Sequence, residues 1–426
     1  MSALIDLLVE RPVAGGRMLA RHEGRVVFVS GAIPGERVRA RIERAQKRTL
    51  WAETVDVLDA SPDRREPYCE SGCGGSVYAH IQYARQRQLK GDVIADAFRR
   101  VGKIVLPCAV EVAASSEDGY RLRARLHRQG ARWGFVREGS HTVCDAGATR
   151  QLLPETMRAV EHAAGEMQRV RPSLYEQASA LVIAENVDAT ERVLHWEMPA
   201  TVEWPAEGAR PDVAGLTGMT ASRAGEHPRV LAGDAWVTDT ACQLFGAQAP
   251  VAETTRWRRR ATSFFQGNRH LIGALVRRVL EASAGDHVVD LYAGVGLFAV
   301  AMAAGGAHVM AVEGDDSSSV DLIENAMPLG ARLRVMHASV ESALGQRPSP
   351  RPDVVVLDPP RTGMSGAALD GLIGWRVPRL VYVSCDPPTL ARDSGRLGAA
   401  GYARQKIDAL DLFPNTAHVE CVAVFQ

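Results

Sequence analysis

The stretch VVDLYAGVGLF, residues 288–298, runs an apolar segment into a glycine turn and then into a second apolar segment. A strand that passes through glycines into a helix opens a doubly wound α/β unit, because glycine lets the backbone turn sharply and approach a ligand. Downstream the alternation continues. Residues 309–313, 332–337, 354–357, 380–385 and 419–425 read as strands, and 298–304 and 317–327 as helices. Three polar breaks stand out: VLDPPRTG (356–363), VYVSCDPPTLARD (381–393) and DLFPNTAHVE (411–420). Parallel strands of such a sheet deliver side chains to their carboxyl edge, where ligands bind. The expected edge therefore presents an acid (Asp358), a thiol (Cys385) and a second acid (Glu420).

Each group suggests chemistry. Gly294 and Gly296, with Ala299 third, make a loose form of the nucleotide-binding glycine fingerprint. Glu313, closing the next strand, suits a carboxylate that accepts hydrogen bonds from ribose hydroxyls, in NAD or S-adenosylmethionine alike. Two prolines after Asp358 fix a rigid extended turn, of the kind that holds a base against a cofactor. Nothing in that turn is a nucleophile. Exocyclic nitrogens need none, but carbon 5 of uracil becomes nucleophilic only after something adds at carbon 6. A thiolate can add there, and a base must later remove the carbon-5 proton. Cys385 and Glu420 fit these roles, with His418 beside the acid and Arg392 downstream of the thiol to lower its pKa. Two other readings use less of the pattern: amino-group methylation on Asp358-Pro-Pro alone, and an RNA-binding or ribosome-assembly factor without catalysis.

The rest of the chain sets the context. It has 426 residues, 46% hydrophobic and 23% charged, enough for two or three domains. No apolar run reaches the length of a membrane span, so no membrane partner is expected. The acidic N-terminus lacks the basic start of a secretory signal. Seven cysteines without a framework predict a reducing, cytoplasmic setting. Net charge is zero, yet residues 85–137 hold twelve basic and five acidic side chains. A second knot is the run RWRRR, 256–260. Interleaved with Tyr83, Tyr120, Trp133 and Trp257, these windows suggest phosphate contact and base stacking on RNA. Residues 1–58 alternate short apolar runs with Gly and Pro turns, which predicts a small barrel of the OB type. A helix with a buried stripe and a basic face is expected over 79–101. A mixed, β-rich insert follows, with strands near 120–127 and 193–199, a helix over 152–170, and loops at Pro205 and Pro211. Thr262, Ser263 or Asn268 is expected to cap the helix after FFQGN.

FFQGN (264–268), DLYAGVGLF, VLDPPRTG, VSCDPPTLARD and FPNTAHVE resemble, in order, the motifs of the RNA uracil carbon-5 methyltransferases. Residues 15–20, 26–36 and 61–64 resemble the TRAM domain found on RNA-modifying enzymes. The resemblance implies three units: a TRAM barrel (1–60), a central RNA-binding region (61–235) and a Rossmann-like methyltransferase domain (236–426). It implies Cys385 as nucleophile and Glu420 as base. It also implies S-adenosylmethionine as cofactor, with Gln266, Tyr292, Glu313 and Asp358 around it beside Gly294 and Gly296. The leading TRAM domain favours ribosomal over transfer RNA, acted on by a monomer. There are departures. Family members with an iron–sulfur cluster carry CGGC where this chain has Cys73-Gly-Gly-Ser76, and Thr149 falls where a later cysteine is expected, five positions after Cys144. No cluster and no metal are expected, and Cys69, Cys73 and Cys144 are read as ordinary thiols. Asp386 replaces the usual Asn beside the nucleophile and is expected to raise the thiol pKa. Ala293 replaces a common Cys.

Overall fold

The computed structural model describes residues 3–70, 72–130, 132–204 and 210–426, and Pro205 lies outside them. Five strands, β1 (Leu4–Pro12), β2 (Met18–His22), β3 (Arg25–Ser30), β4 (Arg37–Ala45) and β5 (Thr49–Asp59), close into a barrel in the order β1-β2-β3-β5-β4. The alternation expected at 25–30 is seen in β3, where Val27 and Val29 are buried. Closure leaves no free sheet edge.

The helix Tyr83–Arg100 follows, with Leu89, Val93, Ile94 and Phe98 on its buried face. A two-residue strand, β6 (Val112–Ala113), comes next. The central region is a seven-stranded sheet of β7 (Arg123–Gln129), β8 (Arg132–Val136), β9 (Val143–Asp145), β10 (Ala180–Glu185), β11 (Arg192–Met198), β12 (Gly218–Arg223) and β13 (Arg229–Gly233). Its order is β13-β12-β11-β10-β7-β8-β9. The helix Pro154–Val170 packs on it through Val160, Ala163 and Met167. A hairpin of β14 (Trp236–Thr240) and β15 (Arg256–Arg260) leads into the last unit.

That unit is built on β16 (His287–Leu291), β17 (His308–Glu313), β18 (Leu333–His337), β19 (Val354–Leu357), β20 (Arg379–Ser384), β21 (Arg404–Leu410) and β22 (Glu420–Phe425). The order is β18-β17-β16-β19-β20-β22-β21, with β6 added at the far edge. The first five strands are parallel, and the inner ones β16, β19 and β20 are almost fully buried, as in sheets covered on both faces, while the edge strand β18 is largely open. Two details differ from expectation. The strand β21 carries too mixed a sequence, RQKIDAL, to show a period of two, and it was not foreseen. Moreover, β22 runs antiparallel to β20, so Glu420 opens its strand rather than closing one. The central region also does not stand apart: the helix Tyr83–Arg100 packs on the helix Pro387–Ala399, and β6 pairs with β21.

Candidate active site

The glycine turn is shaped by steric exclusion. Gly296 has φ +91°, and a Cβ there would sit 2.7 Å from Leu322 Cδ1. Gly294 has φ +57°, and Tyr292 also adopts the left-handed region at φ 61°. A non-glycine residue in that region is uncommon, and such strain concentrates at functional sites. Glu313 lies beside the turn. Its carboxylate accepts from the Gly294 amide at 2.7 Å and from the Asp315 amide at 2.7 Å. Beneath it Asp290 is fully buried, with neither carboxylate oxygen hydrogen-bonded. Burial first, then Asp358 and Glu313, push the Asp290 carboxyl well above its ordinary range. The bare glycine cradle, the flanking carboxylate and this unpaired buried acid suit a nucleoside with hydroxyl and amino donors.

Asp358 follows β19 and meets Gln266, whose Nε2 donates to Asp358 Oδ2 at 3.0 Å. Burial raises the Asp358 carboxyl to about 7, and the Gln266 amide works against that rise. Cys385 follows β20 directly. Because Ser384 pairs with Cys421 across the antiparallel ladder, Glu420 arrives at the same edge of the sheet. Glu420 is buried, with one carboxylate oxygen unpartnered. Burial and the Asp358 charge push its carboxyl well up, and Arg361 pulls it down. Cys385, Glu420, Asp358 and Arg361 thus form one electrostatic group.

The thiol is not activated as the sequence suggested. Burial, then Glu420 and Asp358, raise Cys385 to about 12, against the pull of Arg361. Arg392 is engaged elsewhere, donating to Asp393 at 2.8 Å and to the carbonyls of Thr362 and Met364. The cation at the thiol is Arg361, in the VLDPPRTG turn. Asp386 is also otherwise used: its carboxylate accepts from the Thr389 amide at 2.9 Å and caps the helix Pro387–Ala399. The larger influences that raise the thiol are burial, Glu420 and Asp358. Contrary to expectation, the helix Ile272–Ala282 has no side-chain cap at its first residue; Asn268 instead closes the turn just before it, accepting from the amides of His270 and Leu271.

Two arrangements escaped the sequence reading. Lys90 and Asp411 form a buried ion pair at 2.6 Å, and Lys90 also donates to the Phe413 carbonyl. Asn415, at φ 63°, is gripped by Gln86 and Arg65. Together these hold the loop that precedes Glu420. Neither could be found by spacing, since the partners lie over 300 residues apart.

The expected stacking aromatics are structural. Tyr120, Trp133 and Trp257 are buried, and the Tyr83 hydroxyl accepts from the Ser115 amide. In the 256–260 knot, Arg259 pairs with Asp239 and Arg260 with Asp321, so most of its charge is answered internally. The cysteines also need correction. Cys73 and Cys144 form a disulfide with Cα atoms 6.0 Å apart, while Thr149 donates to the Ala146 carbonyl instead. Cys144, not Thr149, is the residue brought to the Cys73 loop. With Ser76 beside Cys69 and two of the three thiols joined, these residues do not fit a four-thiolate cluster.

Residues 4–55 match the TRAM domain, and residues 350–426 match the tRNA (uracil-5-)-methyltransferase domain. A relative from Halomonas elongata, named 23S rRNA (uracil(1939)-C(5))-methyltransferase, is 31% identical over 99% of this chain and 89% of its own length. The relative of the same name from Chromohalobacter salexigens is 33% identical over 97% of this chain and 87% of its own. The chain belongs to the RNA uracil-C5 methyltransferase family. This is a family of S-adenosylmethionine-dependent enzymes, and the doubly wound sheet fits that chemistry. An "uncharacterized RNA methyltransferase" of Streptomyces avermitilis is 32% identical over 97% of this chain and 96% of its own. The fold matches the crystal structure of Pyrococcus abyssi tRNA (uracil-54, C5)-methyltransferase, with TM-score 0.75, 22% identity and 99% of both chains covered. Among the described residues no helix is long and apolar enough to cross a membrane.

Proposed function

We propose that this RNA uracil-C5 methyltransferase modifies a uridine of 23S ribosomal RNA in the cytoplasm. It does so as a monomer, through a covalent adduct between Cys385 and carbon 6 of the ring. The grouping of Cys385, Glu420, Asp358 and Arg361 at one sheet edge carries this reading. The names of the relatives support ribosomal RNA. We keep the three units at 1–60, 61–235 and 236–426.

Each residue then has a task. S-adenosylmethionine, when bound, supplies a methyl group on a sulfonium. Glu313 is placed for its ribose hydroxyls, Gly294 and Gly296 leave it room, and Tyr292, Gln266 and Asp358 line its neighbourhood. Cys385 sulfur, as thiolate, bonds to carbon 6, and the displaced π pair makes carbon 5 nucleophilic. Arg361 offsets the negative charge that builds beside the thiol and Glu420. Carbon 5 takes the methyl group. The Glu420 carboxylate then removes the carbon-5 proton, the double bond re-forms, and the thiolate leaves. Because burial raises the thiol, its proton must be given up before sulfur adds; the Asp358 carboxylate is the acceptor in the same group, which leaves Glu420 ionised for the later step.

RNA carrying 5-fluorouridine tests this, because fluorine cannot leave as a proton does. The expected outcome is a complex stable to denaturation, with the crosslink mapped to Cys385. Methylation retained by Cys385→Ala would exclude the covalent route. In cells lacking the protein, 5-methyluridine should be missing from 23S rRNA, and its loss from transfer RNA instead would move the substrate.

A further inference from the structure

We infer that Arg259 is a positioning residue for this reaction: it sets the loop carrying Gln266, and it does so from the seam between the central sheet and the methyltransferase unit. The inference rests on the function proposed above. Arg259 lies on β15 and is 2% exposed. One guanidinium nitrogen pairs with the Asp239 carboxylate, and the other donates to the backbone oxygen of Glu185 at 2.6 Å. Its guanidinium carbon lies over the ring of Phe265, 3.7 Å from the ring centroid. The next residue, Gln266, holds Asp358.

The geometry leaves the loop little freedom. Phe265 is fixed by a cation whose own position is set from two directions. On either side, Arg123 donates to the Ala261 carbonyl at 3.2 Å, and the Leu122 amide donates to the Gly267 carbonyl at 2.8 Å. Arg269 pairs with the Glu185 carboxylate. The holders Arg123, Leu122 and Glu185 belong to or adjoin the central strands β7 and β10. A buried guanidinium is a costly way to fill space, since apolar residues of similar volume often stabilise as well or better. What it adds here is direction: a planar fork with fixed hydrogen-bonding angles and a face for an aromatic ring. An error of about 1 Å at such a loop is enough to cost about a hundredfold in rate.

The test is a double-mutant cycle on full-length protein with transcribed 23S rRNA. Arg259→Lys keeps the charge facing Asp239 but loses the fork and the flat face. It should lower kcat about tenfold or more, with KM for RNA changed less than about twofold. If Arg259 acts through Gln266, Arg259→Lys combined with Gln266→Leu should be no slower than Gln266→Leu alone. The acid limb of the pH–rate profile should move to higher pH in both single variants, because the Gln266 amide favours the charged form of Asp358. Multiplying losses in the double variant, or a lowered Tm with kcat intact, would overturn the inference. Should Arg259→Lys fail to fold, Phe265→Leu, which removes the stack but leaves the Asp239 pair, takes its place in the same cycle. Wild-type protein that never forms the 5-fluorouridine adduct would overturn the function itself. An adduct that forms alongside multiplying losses would overturn the positioning role alone.

Discussion

Cys385 and Glu420 are separated by chain length but coupled in charge, and each predicts the behaviour of the other. In Glu420→Gln the thiol can still add to carbon 6 and the methyl group can still transfer, but the carbon-5 proton has no acceptor. The expected result is a methylated protein–RNA adduct that survives denaturing electrophoresis, with turnover reduced by about 10²–10⁴. Arg361 can be checked without RNA. It pulls the Cys385 thiol down, so Arg361→Gln leaves less thiolate at any given pH. Iodoacetamide should label Cys385 more slowly in that variant, about tenfold for each unit by which the pKa rises. Cys385 and Glu420 could be picked out as candidates because each is a reactive side chain adjoining an apolar run, the thiol after one and the acid before one. The cation was not. Arg392 lies much nearer to Cys385 in sequence than Arg361 does, and only packing shows Arg392 bound to Asp393. The direction of the thiol shift was also hidden, since burial is a property of the folded site.

At the level of elements, the site depends on bringing acids together that repel one another. The parallel strands β16, β17 and β19 place Asp290, Glu313 and Asp358 at one edge, and the antiparallel strand β22 adds Glu420. Asp290, Asp358 and Glu420 hold their protons more tightly in the folded state than in the unfolded chain. Their cost to stability is therefore absent below the unfolded carboxylate pKa and grows as pH rises. For Asp358 the window runs from 3.8 to about 7. Asp358→Asn should consequently raise the apparent Tm above pH 7, with the gain vanishing near pH 4, while methylation falls. Scanning calorimetry across that range checks the sign. The loop before β22 makes the opposite case: Lys90→Met leaves Asp411 buried without its ion-pair partner and should destabilise by about 3–5 kcal/mol. The parallel strands were readable as unbroken apolar runs. The strand β21 was not, because one face of it is polar and its pairing is decided by β22.

Across the whole molecule, the three units are joined by polar ties. Arg17 of the barrel bridges Glu43 and, in the central region, Glu138. Arg65, just after the barrel, reaches Asn415 in the loop that precedes Glu420. The order barrel, central region, methyltransferase sheet could be read from composition and motif order, but the ties could not, since they join residues far apart in sequence. The disulfide belongs to this scale. It fastens the loop around Cys73 to the hairpin of β8 and β9, 71 residues further on. A crosslink closing a loop of that length stabilises by about 2–4 kcal/mol, mainly by restricting the unfolded chain. Its removal should therefore act on stability and leave methyl transfer nearly untouched, because none of the catalytic groups lies on the tied segments. In unreduced protein, labelling after denaturation should find the five free cysteines, Cys69, Cys108, Cys242, Cys385 and Cys421, and reduction should expose Cys73 and Cys144 as well. The Cys73→Ser, Cys144→Ser double variant should show a lower apparent Tm that reductant no longer changes. If anaerobically purified protein instead carries stoichiometric iron and sulfide, with Cys73 and Cys144 both resistant to alkylation until the metal is removed, then the two sulfurs bind a cluster rather than each other.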